Sequence, residues 1–349
     1  MIFYLAALAF LIFYKAVFFS YTSFNRNYLS KENTQSIKGI FMLLIFSSHY
    51  AQYVRFDGIY DSAFRSFQSF LGQAIVTMFL FYSGYGVFES IKSKPGYVKT
   101  IPFKRIYITW LNFSLAILLF FMLNLLLHKS YSLSTTVLAF TGWTSIGNSN
   151  WYIFAILCCY LMTWISFRLF SRHHVPALFT ITLLSFVYLF LVRHYKGSDT
   201  WWYDTIFCYA AGMWYSYFKK KIENLFFQNS DIYFFALILT FFFVLAAKPF
   251  RNHIAVYEIW SLGFTALILL LSMKISINNR ILSWIGIHTF EIYIIQRLPM
   301  ITLKHLKLDQ YPYLFGVLSL LTCIFLVFFF HKLLSWADNL SFQFFKRKS

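Results

Sequence analysis

Charged side chains are scarce in this chain, and acidic ones most of all. Only 12% of its 349 residues are charged, and 12 Asp and Glu stand against 30 Lys and Arg. Ordinary soluble domains carry about 25% charged residues. With 59% hydrophobic residues and a mean hydropathy of +0.62, the chain has more apolar surface than a soluble core can hide. Part of its solvent must be lipid. Cysteine is scarce too: Cys158, Cys159, Cys208 and Cys323 all lie within apolar runs. That excludes a disulfide framework, and no Cys/His spacing suits zinc, so neither a metal nor a bound cofactor is expected. No loop is long enough for a separate folded domain, and no period of 20–50 residues recurs. The first twenty residues lack a basic n-region and a small-residue cleavage site, which favours a retained helix over a signal peptide. The formal net charge of +18 comes from cations scattered between apolar segments, so no single basic patch exists to bind nucleic acid.

What is present is a succession of apolar segments of membrane-spanning length. Eleven are read, at roughly 2–20, 37–54, 71–88, 106–127, 150–170, 175–192, 201–217, 232–247, 254–272, 283–300 and 312–334. The expected fold is all-α, a polytopic transmembrane helical bundle. With the N-terminus outside, eighteen of the 30 Lys and Arg fall on the inner side, nine fall on the outer side, and Lys15, Arg297 and Lys332 sit within helices. The excess of cations on cytoplasmic loops then places the N-terminus outside and the C-terminus in the cytoplasm.

Ionisable groups inside a membrane are costly and mark functional sites. The second segment, SIKGIFMLLIFSSHYAQYV, has Lys38 near its inner end and His49 deep within it. Eleven residues at ~100° each bring the two within roughly 20° of one another around the helix, and separate them by ~16 Å along it. One face therefore presents an ammonium and, deeper, an imidazole, with Ser47 and Ser48 nearby. Taken singly, each has a plainer explanation: the lysine snorkels to the interface and the histidine bonds a neighbouring helix. The next helix, TMFLFYSGYGVFES, has Ser83, Gly84 and Gly86, which allow close backbone approach. Five cations follow, Lys92, Lys94, Lys99, Lys104 and Arg105. They read either as ordinary positive-inside bias or as a docking surface for a polyanionic cytosolic donor.

The order of these motifs resembles membrane acyltransferase family 3, whose members O-acylate cell-surface glycans. The family's LRG turn and its helix ending in histidine are matched by Ile37-Lys38-Gly39 and His49, with the same ten-residue spacing. Its FF-x-SG-[FY] helix is matched by Phe79-Leu80-Phe81-Tyr82-Ser83-Gly84-Tyr85. Its basic R-x-x-R-[IL] run is partly matched by Lys104-Arg105-Ile106-Tyr107, and its W-[FY]-[IL] by Trp151-Tyr152-Ile153. Its F-x-x-G-M is matched by Tyr209-Ala210-Ala211-Gly212-Met213, and a late I-G segment by residues 285–293. The resemblance covers roughly residues 36–300. Lys38 stands where the family has arginine, Pro102 where the basic run has its first arginine, and Gln296 where many members have histidine.

The resemblance implies a ten-helix acyltransferase core at 36–335. Before it, residues 1–35 form an extra transmembrane helix and cytoplasmic linker; after it, 336–349 form a basic cytoplasmic tail. It implies a plasma-membrane O-acetyltransferase that takes acetyl-CoA from the cytosol as co-substrate and acts on a hydroxyl of a cell-surface or lipid-linked glycan. In that reading His49 is the general base, because imidazole titrates near neutrality. Lys38, Lys104 and Arg105 bind the donor's phosphates. Ser48, Ser83, Trp151, Glu291 and Gln296 line the substrate path, and Asn148, Ser149 and Asn150 line its outer mouth or cap a helix. Trp201 and Trp202 read as interface-belt residues before sugar platforms. The rival reading is a multi-pass transporter or flippase of a glycan or lipid-linked intermediate, which calls for broken helices with paired charges at the midplane.

Overall fold

The computed structural model describes residues 1–171 and 173–346; Arg172 and the tail residues Arg347 and Lys348, all counted above as inner cations, lie outside the described residues. Helix α1 (Ile2–Phe13) leads through strand β1 (Ala16–Phe18) to α2 (Lys31–Tyr50), then α3 (Ser62–Leu71), α4 (Ala74–Ser93) and α5 (Tyr97–Ile101). A π-helical segment, Pro102–Tyr107, joins α5 to α6 (Ile108–Leu126). There follow α7 (Leu133–Ala139), α8 (Trp151–Leu169), α9 (His174–Lys196), α10 (Phe207–Gln228), α11 (Ser230–Ala247) and α12 (Ile254–Lys274). Strand β2 (Ile275–Ile277), α13 (Arg280–Ile287), α14 (Thr289–Ile295), α15 (Arg297–His305) and α16 (Pro312–Lys346) complete the described chain. β1 and β2 pair antiparallel, Val17 opposite Ser276, a small tie in an otherwise helical protein.

Among the described residues seven helices are long and apolar enough to cross a membrane: Ala74–Ser93, Tyr97–Leu126, Trp151–Leu169, His174–Lys196, Ser230–Phe250, Ile254–Lys274 and Pro312–Phe344. The chain is a multi-pass membrane protein. Four of the eleven expected segments differ from that standard, each for a visible reason. α1 has 12 residues, about 18 Å at 1.5 Å per residue, because the backbone turns at Lys15 (φ 63°) into β1. α2 and α10 are long enough but carry too many polar residues. The expected span 283–300 is broken in two places. Thr289 turns its hydroxyl back onto the Gly286 carbonyl (2.9 Å) at the first break. Pro299 has no N–H to give the Ile295 carbonyl at the second. The expected cytoplasmic tail is, up to Lys346, the last part of α16.

Caps set several starts: Ser30 accepts from the Asn33 N–H, and Asn279 accepts from the N–H groups of Ile281 (2.9 Å) and Leu282 (3.2 Å). Four glycines set how closely the inner helices cross. A Cβ on Gly39 would fall on the Leu282 carbonyl, and one on Gly286 would fall on the Gln35 carbonyl, so α2 and α13 touch backbone to backbone. Gly84 meets the Tyr209 carbonyl and Gly212 the Phe81 carbonyl in the same way, locking α4 to α10. All four belong to the motifs singled out above. The buried apolar residues form two clusters, one around α2 and α12–α16 and one around α8–α10, and α4 contributes to both.

Near one end of the bundle the Met1 amino group pairs with Asp61 (2.6 Å), and Tyr50 donates to the Pro312 carbonyl (2.6 Å). At the other end the rings of Phe103 and Phe342 pack at 5.1 Å.

Candidate functional site: two chambers along one helix face

The seam between the two apolar clusters is not filled. A cavity of about 420 Å³ opens there, lined by Lys38, Met42 and Ile45 of α2, Ser83 and Gly86 of α4, Arg105 of the π segment, Tyr160 of α8 and Thr289 after the first break, among others. A second cavity of about 380 Å³ lies further along α2, lined by Ile45, Ser48, His49, Gln52, Asn148, Ser149, Trp151, Trp201 and Arg297. The two share only Ile45 and Tyr293 in their linings. Lys38, Met42, Ile45 and His49 recur at helical spacing, so one face of α2 runs from one chamber into the other.

The Lys38 chamber is cationic and hydroxyl-rich, and among the described residues no carboxylate lines it. Lys38 Nζ lies 5.7 Å from the Tyr82 ring centroid and, among the described residues, makes no hydrogen bond. Arg105 donates from Nε to the Tyr97 hydroxyl (2.9 Å), and its guanidinium carbon is 6.0 Å from the Tyr160 ring centroid. The Ser83 and Tyr160 hydroxyls are 3.0 Å apart. The π geometry closes on an Ile108 N–H to Phe103 carbonyl bond, one residue wider than an α turn. It brings Arg105 into the cavity while Lys104 faces solvent and lines neither chamber.

The His49 chamber is built of amides, hydroxyls and aromatic rings. Ser149 Oγ is 3.4 Å from His49 Nδ1 and accepts from Arg297 Nε (3.2 Å). The same guanidinium donates to Gln52 Oε1 (2.6 Å) and the Tyr53 hydroxyl (3.5 Å). The loop bearing Ser149 is fixed from behind. Asn124 donates to the Ile146 carbonyl (2.7 Å), Asn148 Oδ1 accepts from the Ile146 N–H (3.0 Å), and Gly147 supplies a positive φ of 109°. The His49 and Tyr293 rings are 6.1 Å apart, and Tyr293 packs edge-on against Tyr152 at 5.6 Å.

Of the residues singled out in the sequence, Lys38, Arg105 and Ser83 meet in the first chamber, and His49, Ser48 and Trp151 in the second, with Asn148, Ser149 and Asn150. Trp201, read as an interface residue, also lines the second. Lys104, Glu291 and Gln296 line neither. Gln296 is fully buried and donates to the Tyr293 carbonyl (3.2 Å), so it sits behind the wall residue. Glu291 faces His331 and His288 instead. Arg297 was not singled out. Its signal was its place, an arginine within an apolar segment of membrane-spanning length.

A family model described as an acyltransferase domain matches residues 35–334. No curated protein matches the chain, and no solved structure does. The matched stretch contains every residue of both chambers and leaves only α1, β1 and the two ends of the chain outside, and the chain belongs to acyltransferase family 3, a membrane acyltransferase.

Proposed function

We propose that this protein moves an acetyl group from acetyl-CoA, held on the Lys38 side, to a hydroxyl of a cell-surface or lipid-linked glycan on the His49 side. The observation that carries this reading is the pair of chambers meeting at Ile45 and Tyr293, with the Lys38 ammonium and the Arg105 guanidinium in one and an imidazole in the other. A charged, phosphorylated donor needs cations and an absence of carboxylates. A sugar hydroxyl needs a proton acceptor and a polar, aromatic surround.

In the reaction, the acceptor oxygen attacks the thioester carbonyl carbon as its proton passes to His49. The carbon–sulfur bond then breaks, and the thiolate leaves with the coenzyme and takes up a proton. Lys38 and Arg105 hold the donor phosphates; lysine does so as a point charge and arginine as a planar fork. The axial offset of ~16 Å between Lys38 and His49 is within the reach of a pantetheine arm. Arg297 positions Ser149 beside His49 Nδ1; with the Nδ1–H donating to Ser149 Oγ, Nε2 is the proton acceptor.

In this reading α2, α10 and the broken α13–α15 stretch are embedded with the seven apolar helices and give a ten-helix core, with α1 as an addition. The 51–72 loop faces outward, and the Phe103–Phe342 end faces the cytoplasm of a plasma-membrane protein, as the cation bias favours.

The test is incubation of membranes with labelled acetyl-CoA and acceptor glycan. The expected result is label recovered as an alkali-labile ester on the glycan, lost in His49→Ala at unchanged protein level and membrane insertion. Undiminished transfer by His49→Ala contradicts the mechanism. Glycan movement across the membrane without acylation favours the transporter.

A further inference from the structure

Glu291 is a buried carboxylate that neither chamber uses. It is 8% exposed, and among the described residues its only ionic partners are two imidazoles: His331 Nδ1 at 2.7 Å and His288 Nδ1 at 3.5 Å. Among the described residues no lysine or arginine pairs with it. A buried carboxylate without a fixed cation is costly, and here two nitrogen donors and one oxygen donor converge, all within 4.8 Å of one another. The geometry points to a divalent transition-metal site, zinc by its donor set, held by His288, Glu291 and His331.

The distances can be compared with what zinc requires. Bonds of about 2.0–2.2 Å in a tetrahedral arrangement put ligand atoms roughly 3.4 Å apart. His288 and Glu291 already meet that spacing at 3.5 Å. Glu291 and His331, at 2.7 Å, must open by roughly 0.7 Å to reach it. The His331 side chain is 49% exposed on the surface of α16 and has room to move that far. Three protein ligands leave one position for water or a small anion.

The placement also gives the ion something to do. His288 is the residue at the first helix break, between α13 and α14, and His331 lies on α16. Thr289 and Phe290, the next two residues after His288, line the Lys38 chamber. A metal bridging His288 and Glu291 to His331 would pin this non-helical joint against α16 and hold that wall of the chamber in place. The sequence spacing hid the site, because His331 follows Glu291 by forty residues and only the fold brings them together.

The test is metal content of the full-length protein purified in detergent without chelator and then equilibrated with zinc. About one zinc per chain is expected in the wild type. Glu291→Gln and His331→Gln, each checked for a monodisperse gel-filtration peak, should lose most of it, whereas His305→Gln, outside the cluster, should keep it. Cobalt in place of zinc should give visible absorption from a low-symmetry site. A chelator should lower the melting midpoint of the wild type by on the order of 5 °C and leave Glu291→Gln unmoved. These two readouts on the wild type hold even where one variant fails to fold, and His288→Gln is a third variant. A wild-type protein that binds no zinc overturns the proposal and leaves a hydrogen-bonded carboxylate with two imidazoles. Wild-type zinc content in folded Glu291→Gln and His331→Gln overturns it equally, because the ion then sits elsewhere.

Discussion

Lys38 lines one chamber and Arg297 the other, and the protein treats these two cations in opposite ways. Every side of the Arg297 guanidinium is engaged, by Ser149, Gln52 and Tyr53. Lys38 Nζ lies over the Tyr82 ring and, among the described residues, has no hydrogen-bond acceptor. A half-buried cation left without an acceptor is an unfavourable resting state unless something else neutralises it. The engaged cation ties three side chains of its chamber together, and in the proposed reaction the unengaged one takes the donor's phosphates. The same division separates the chambers: one offers free positive charge, the other a fixed network around an imidazole.

Substitutions sharpen or break that comparison. The largest effect is expected where the chambers meet. Ile45→Trp should block passage of the thioester and reduce transfer by about 10²-fold or more, with donor binding kept; undiminished transfer would mean the chambers are not joined there. Arg297→Ala should free Ser149 and leave His49 unoriented, reducing kcat about 10–100-fold with little change in donor KM, measured by steady-state transfer kinetics. Lys38→Ala should act the other way round and raise the acetyl-CoA KM about 10-fold, the value of one charge-assisted contact of about 1.5 kcal/mol, while Lys38→Arg is tolerated. Lys104→Ala, which faces solvent, should change KM less than about 2-fold, and an effect as large as that of Lys38→Ala would place the donor outside the chamber.

The glycines give a further contrast on stability alone. Gly84 faces the Tyr209 carbonyl, while Gly86, two residues on, has nothing within 4 Å of its would-be Cβ. Gly84→Ala should cost about 1–3 kcal/mol or more, seen as lower yield and melting midpoint, and Gly86→Ala about nothing.

How much of this could be read from the chain alone depends on whether the signal is local. Lys38 and His49 share one helix, so their common face follows from 100° per residue, and the fold places them on it. Of the two glycines read as close-approach sites, Gly84 meets the Tyr209 carbonyl and Gly86 meets nothing within 4 Å, while the contacts of Gly39, Gly212 and Gly286 had no local signal. Helix length was less legible, because hydropathy says nothing of where a backbone turns: α1 stops at Phe13 although apolar residues continue. Of the two breaks, the one around Gln296 was legible from Pro299, whereas the one around His288, where Thr289 turns back onto the Gly286 carbonyl, had no proline to announce it. The Arg297–Ser149–His49 arrangement joins three separate elements and has no sequence period at all. Glu291 was legible as an ionisable group within an apolar segment, but not its partner His331, which comes from the last helix.

The division of labour between the chambers is tested most directly by titrating acetyl-CoA into purified His49→Ala protein while transfer is assayed on the same sample. The account expects acetyl-CoA to bind within about 2-fold of wild type while transfer falls by 10²–10⁴-fold, the range for loss of a general base. Loss of acetyl-CoA binding in that variant, or transfer near the wild-type rate, would contradict it.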